Sequence, residues 1–527
     1  MSYLYHKGLF MFLSVLKDQH LPFCLSVLLA ASASLLLLCG FWLIAQFVAD
    51  AEFSHLGWTA LVWSVAALCS GLSAYLAHRV EGRLAEHLRT QTEQHLSYLP
   101  HSTLSRYSNS DLQALLTSDI ARIHHLFAHL PSEIAVFIVV PLTAFSLLWL
   151  LLGAKTLLIL TPALLASLYY VWILPKTSAK DSEARMQVVK RIIELVGDYF
   201  KGIKIQRVFG GEQDFLAQYQ QQTAKFTSEM LQWVKKVATL SAFAVALLQA
   251  VSTFAITYAL TYQQPLDIIA AALFFSLSFV TPVLRLGHGI DYLRIGKGAL
   301  TRIKQFLSEE KIQWGTLTAT ATPDLTLEVD NACVQLDKTV SAHQPFNLRI
   351  EPHKLTVITG RSGCGKSTLL RAIAGLERLS SGEIRLNNTP IFAFDEHYFH
   401  QLLRYIPQQI QLPPCTIEQI ISIKQPDIDS LRMQQTLSQL GLDYPFNQAA
   451  DLLSGGERQR LQLAVAFISK AQIFLLDEPT SHLDEHSSQL VIQALRTLQQ
   501  QGKTLVLVSH SQTLIQQADC VIHLSSI

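Results

Sequence analysis

Eight residues, Gly360-Arg361-Ser362-Gly363-Cys364-Gly365-Lys366-Ser367, fit the pattern G-x-x-x-x-G-K-[ST]. The apolar run Leu355–Ile358 precedes them, and a helix-like run from Thr368 to Gly375 follows. Strand, glycine loop and helix in that order make a phosphate cradle. Glycines let backbone N–H groups converge on phosphate oxygens, and the helix turns its positive end toward them. In that pattern Lys366 reaches the β- and γ-phosphates, and Ser367 holds Mg²⁺. A glycine-rich turn without a ligand fits the same eight residues, so the neighbouring chemistry decides between the two.

A second stretch, Leu453-Ser454-Gly455-Gly456-Glu457-Arg458-Gln459-Arg460, puts a serine and two glycines ahead of a basic helix. Its N–H groups and the Ser454 hydroxyl offer another anion site, although alone the stretch reads better as a loop and helix cap. Downstream, the apolar run Ile473–Leu476 ends in Asp477-Glu478. Asp477 suits Mg²⁺, and Glu478 is placed to polarise an attacking water. His510 follows the apolar run Thr504–Val508. A lone His after a strand is ordinarily structural, and Gln408 in Tyr405-Ile406-Pro407-Gln408 says nothing by itself.

These residues must be held by more than one kind of domain. Half of the 527 residues are hydrophobic and only 15% are charged, well under the usual ~25% for soluble domains. Mean hydropathy is +0.28. Net charge is +1, so no nucleic-acid footprint is present. The seven cysteines include no C-x-x-C pair, which leaves no zinc or redox motif. Six uncharged runs lie before residue 290: Leu21–Val48, Leu56–Leu76, Ile134–Leu152, Thr156–Leu174, Val237–Tyr262 and Ile268–Leu284. Each approaches the ~20 residues that cross a bilayer. Cations gather before the first, between the second and third, between the fourth and fifth, and after the sixth, so both ends of the chain are expected in the cytoplasm. The polar stretches Ala77–Glu133 and Pro175–Lys236 then project as helical extensions, turning back at Tyr107–Asp111 and near Gly197–Gly202. Gly296–Gly315 reads as a linker, and from about Asp324 short β-rich runs alternate with helical ones.

In order, the phosphate loop, Gln408, Leu453–Glu457, Asp477-Glu478, Ser481-His482-Leu483-Asp484 and Ser509-His510 resemble the ATP-binding-cassette ATPases. Six helices followed by one such cassette resemble an ABC half-transporter of the exporter fold. The resemblance implies a multidomain membrane protein: an all-α six-helix transmembrane domain (1–310), a linker (311–323) and an α/β P-loop cassette (324–527). It implies ATP bound by residues Gly360, Arg361, Ser362, Gly363, Cys364, Gly365, Lys366, Ser367 and Thr368. It implies Mg²⁺ held by Ser367, Gln408 and Asp477, a catalytic Glu478, and a switch His510 at the γ-phosphate. Ser454, Gly455, Gly456 and Asp484 match residues that serve the ATP held by the opposite subunit. A second half-transporter, the inner membrane, its lipids and a small-molecule substrate are therefore implied, and no nucleic acid.

Three features depart from the family pattern. Val334 and Leu336 stand where an adenine-stacking aromatic is usual. The segment Tyr444–Leu452 ahead of the signature is short and importer-like. Ala464-Val465-Ala466-Phe467 replaces A-x-A-R. In the membrane half, Ala77-His78-Arg79, Leu88-Arg89, Leu99-Pro100, Ser118-Asp119-Ile120 and Ala128–Pro131 resemble a siderophore- and iron-linked branch that includes importers. The cytochrome bd assembly group, which exports thiols and is linked to haem, is the alternative, and His101, His124, His125, His129 and His288 could suit haem or metal. Solvated or capping roles on a cytoplasmic, helix-like stretch suit His124 and His125 better. A general lipid, drug or peptide exporter is a third reading.

Overall fold

The computed structural model describes residues 2–168, 174–209, 212–235, 239, 242, 253–319, 324–334, 345–408, 412–424, 429–481 and 483–524. They form two compact units: residues 1–92 with 113–308, and residues 93–112 with 309–527. Leu336 and His482 lie outside the described residues, as does the side chain of His288.

The first unit is helical. Its helices are α1 (Ser2–Asp50) and α2 (Phe53–Ser97), then α5 (Ser118–Ala128), α6 (Leu130–Leu152), α7 (Lys155–Leu168), α8 (Leu174–Phe209), α9 (Glu212–Trp233), α10 (Phe254–Thr261), α11 (Leu266–Ser278) and α12 (Val280–Leu307), while the end of α2, the short α3 (His101–Leu104) and the start of α4 (Asn109–Leu116) belong to the second unit. A helix satisfies its own backbone, which an apolar environment demands. Among the described residues three helical stretches are long and apolar enough to cross a membrane: Gln19–Asp50, Phe53–Ser97 and Asn109–Leu152. They contain the first three expected spans. The fourth and fifth runs extend into residues outside the described set. The sixth, Ile268–Leu284, is divided at Phe279, close before Pro282, whose missing N–H cannot bond back to Ser278.

Two expectations are corrected here. Helix α8 continues through Gly197–Gly202 to Phe209, and Tyr199 stacks on Phe215 of α9 at 4.1 Å, so no turn occurs at those glycines. Likewise Gly296 is not linker but helix, because α12 runs on to Leu307. A Cβ at Gly296 would lie 2.5 Å from Leu126, so this glycine permits close approach of α12 to α5. Beside it, buried Asp119 accepts hydrogen bonds from Arg302 Nε at 2.9 Å and Arg122 Nη1 at 3.0 Å, pinning the same two helices.

Among its described residues the second unit contains two sheets. Strands β1 (Leu327–Val334), β2 (Phe346–Ile350), β4 (Leu379–Leu386) and β5 (Thr389–Pro390) pair antiparallel in the order β2-β1-β4-β5. Strands β3 (Leu355–Gly360), β6 (Leu403–Ile406), β7 (Ile473–Asp477), β8 (Thr504–Val508) and β9 (Cys520–Leu524) form a parallel sheet ordered β6-β7-β8-β3-β9. Every residue of β7 and β8 is buried, as both-face coverage of a parallel sheet requires. Trp314 packs against Phe392 and Phe399, each at 5.2 Å, so the segment following α12 is part of this core.

Candidate active site

Parallel strands β3 and β7 end on the same side of the sheet with β8 between them, so Gly360, Asp477 and Val508 terminate together. From β3 the chain enters the glycine loop and then α13 (Lys366–Ile373). Gly363 and Gly365 have φ of +83° and +95°, values that favour glycine. A Cβ at Gly363 would meet nothing, so the loop is open on that side. Buried Lys366 donates from Nζ to the carbonyls of Gly360 at 2.8 Å and Arg361 at 2.9 Å, holding its ammonium within the loop.

Asp477 is buried beside this loop. Burial pushes its pKa above the ordinary carboxylate range, while the Ser367 hydroxyl works in the opposite direction. Hydroxyl, carboxylate and the side-chain carbonyl of Gln408 make an all-oxygen donor set, which suits a hard cation such as Mg²⁺. A charge-deficient carboxylate next to an open phosphate cradle fits that cation bound with a polyphosphate.

Glu478 follows in the left-handed region, with φ of +50°, which is uncommon outside glycine. Three contacts hold it there. Its N–H donates to Val508 O at 2.9 Å, and Gln459 Nε2 donates to the carbonyls of Glu478 at 3.3 Å and Pro479 at 3.1 Å. The turn aims the carboxylate at two sequence-predicted residues. Gln408 Nε2 donates to Glu478 Oε2 at 2.6 Å, and His510 Nε2 lies 3.9 Å from Oε1. Lys366, Ser367, Gln408, Asp477, Glu478 and His510 are thus assembled around one strand end.

Ser454, Gly455, Gly456 and Asp484 make local contacts instead. Ser454 caps the helix Gly455–Ile468 in a capping box with Glu457, and Ser454 N donates to Glu457 Oε2 at 2.8 Å. Tyr444, in the short segment before the signature, donates its hydroxyl to Glu457 Oε1 at 2.7 Å. Asp484 caps the helix Glu485–Gln500, accepting from Ser487 N at 2.7 Å. Both caps are exposed.

Two further features escaped sequence reasoning. Phe467, standing where arginine is usual, is buried and meets Phe474 of β7 edge-on at 6.1 Å. An arginine could not replace that apolar contact. Fully buried Glu377 accepts from Ser102 N at 3.0 Å and from Arg371 Nε at 3.2 Å, while Arg371 Nη2 reaches Thr368 Oγ1 at 3.2 Å. His101 N donates to Leu376 O at 2.9 Å, so α3 is docked on the end of the phosphate-loop helix. Burial, then the nearby Arg371 charge, holds the His101 pKa below its ordinary value. Val334 ends β1 fully buried, so it is a core residue.

The membrane-region family model "ABC transporter transmembrane region" matches residues 21–281, and the model "ABC transporter" matches residues 343–481. This chain belongs to the ABC transporters. A solved bacterial Atm1-family ABC exporter with ATP bound shares the fold, with a TM-score of 0.74 at 19% identity, covering 97% of this chain and 94% of that one. The ABC exporter fold and an ABC-type ATPase cassette are therefore present. Curated relatives are distant. The mycobactin import ATP-binding/permease protein IrtA of Mycolicibacterium smegmatis is 25% identical over 88% of this chain and 56% of its own length. The glutathione/L-cysteine transport system protein CydC of Escherichia coli is 24% identical over 96% of this chain and 92% of its own. The chain spans between about half and three-fifths of the mycobactin-import relatives that it matches.

Proposed function

We propose that the chain is one half of an ATP-hydrolysing transporter of the inner membrane, and that it moves a ferric siderophore or related metallophore into the cell. Its domains are a transmembrane domain (1–310), a connecting segment (311–323) that packs on the cassette through Trp314, and the cassette proper (324–527), with the cassette and both termini in the cytoplasm. Residues 360–368 cradle the phosphates of ATP. Ser367, Gln408 and Asp477 hold Mg²⁺, which when bound neutralises phosphate charge. Glu478 orients and accepts a proton from the attacking water, and His510 serves the γ-phosphate. The observation that carries hydrolysis is the grip of Gln408 on Glu478 at 2.6 Å, with His510 facing the other carboxylate oxygen.

Ser454, Gly455, Gly456 and Asp484 serve ATP held by a second cassette, so a homodimer or a related partner completes each site. Their outward, locally capped placement supports this, as does Leu452 beside them, an apolar side chain 73% exposed. The mycobactin-import relatives support the metallophore cargo. The test is ATP-dependent uptake of labelled ferric siderophore, and equal uptake by wild type and Lys366→Ala would sink the import reading. A second reading, thiol export, is favoured by the near-equal length of the CydC relative. It predicts ATP-dependent accumulation of cysteine or glutathione in inverted vesicles.

A further inference from the structure

Three histidines of the helical unit converge although they are far from the cassette chemistry in sequence. His78 lies on α2, just after the apolar run Leu56–Leu76, and His124 and His129 flank the end of α5, just before the run Ile134–Leu152. Their potential ligand atoms all lie within 4.8 Å of one another. Ring centroids are 5.1 Å apart for His78 and His124, 5.2 Å for His78 and His129, and 5.2 Å for His124 and His129.

The backbone accounts for the convergence. Residues five apart on an unbroken helix diverge by about 140° around the axis. Here α5 ends at Ala128, and His129 has φ −115° and ψ −47°, off the helical average, before α6 begins at Leu130. The break swings His129 back toward His124. A local helix irregularity of this kind recurs at functional sites. Nearby, Glu81, three residues along α2 from His78, places Oε2 3.2 Å from His124 Nδ1. His125 adjoins the trio, its ring centroid 5.3 Å from that of His124 and 5.2 Å from that of His129, and it also stacks on Tyr292 of α12 at 4.0 Å.

We propose that His78, His124 and His129, with Glu81 as the accompanying carboxylate, bind one divalent first-row transition-metal ion that ties α2 to the α5–α6 junction. Three imidazoles select an ion of the zinc, nickel or copper kind over Mg²⁺ or Ca²⁺. A carboxylate against a ligating His is the usual companion that orients it. Tetrahedral ligands at about 2.0–2.1 Å from zinc stand about 3.4 Å apart, so the rings close on the ion by side-chain rotation of about an ångström. His78 is exposed and His124 and His129 are half-buried, which leaves an entry path.

The test uses the full chain in detergent, purified without a polyhistidine tag, with Co²⁺ as the probe. The expected result is one Co²⁺ per chain with the intense visible absorption of a tetrahedral site, displaced by Zn²⁺. His124→Ala and His129→Ala should each weaken binding at least tenfold, and His101→Ala should not. A readout that needs no variant guards against misfolding: Zn²⁺ should protect His124 and His129 of the wild-type chain from diethyl pyrocarbonate, read by mass spectrometry. Co²⁺ binding that survives the triple His78/His124/His129 alanine variant overturns the proposal, as does the absence of Zn²⁺ protection. Haem binding through the same residues, seen as their loss shifting a Soret band, also overturns it.

Discussion

The phosphate-loop side of the cassette and its signature side use similar residues to opposite ends. Around the loop, polar side chains face one another: Lys366 and Asp477 are buried, and the exposed Gln408 and His510 both face Glu478. On the signature side, Ser454 and Asp484 are spent on capping their own helices and sit exposed. The first gathers its side chains around one strand end, and the second leaves two capped helix starts open to solvent. That difference is what the proposed two-cassette site requires, since a helix N-terminus facing solvent can receive an anion carried by another chain.

The sharpest way to separate the two sides is Glu478→Gln. Hydrolysis should fall on the order of 10²–10⁴-fold, as for loss of a general base, while ATP binding persists. Phosphate release and filter binding on the same sample measure both, and parallel loss of binding would merge the two sides. Next in size is the strut between them. Phe467 ends the signature helix and touches Phe474 of the strand that carries Asp477. Phe467→Ala should lower stability by roughly 3–5 kcal/mol in urea melts. Ser454→Ala removes only a helix cap within this chain and should cost about 1 kcal/mol of stability. Its effect on turnover should exceed its effect on single-cassette ATP binding, and equal effects would assign Ser454 to its own chain's site.

The smallest effect concerns protonation. Burial raises the Asp477 pKa, so the nucleotide-free fold favours the protonated acid. That contribution is full below the unfolded carboxylate value and is lost as pH rises through the folded value. Asp477→Asn should therefore lessen the fall in melting temperature as pH rises above the ordinary carboxylate range, at the expense of activity. An unchanged pH profile would show that the buried charge is already compensated.

The cassette was legible because phosphate chemistry demands short patterns: Gly360–Ser367 and Asp477-Glu478 follow the apolar runs Leu355–Ile358 and Ile473–Leu476, and these runs and Thr504–Val508 all lie in strands. What stayed hidden depends on tertiary partners. Gly197 and Gly202 looked like a turn because glycine lowers helix propensity by only about 1 kcal/mol, which neighbouring packing readily overrides. Phe467 looked like a missing charge until Phe474 appeared beside it. Nor does any local pattern tie Ser102 to Glu377, which are 275 residues apart.

That separation has a consequence in time. At about 5–20 residues per second of synthesis, Ser102 is made roughly 14–55 s before Glu377 exists to receive its N–H. Throughout that interval α3 has no dock. The closing of this contact therefore marks the moment when the last-made half of the chain takes hold of a loop made among the first.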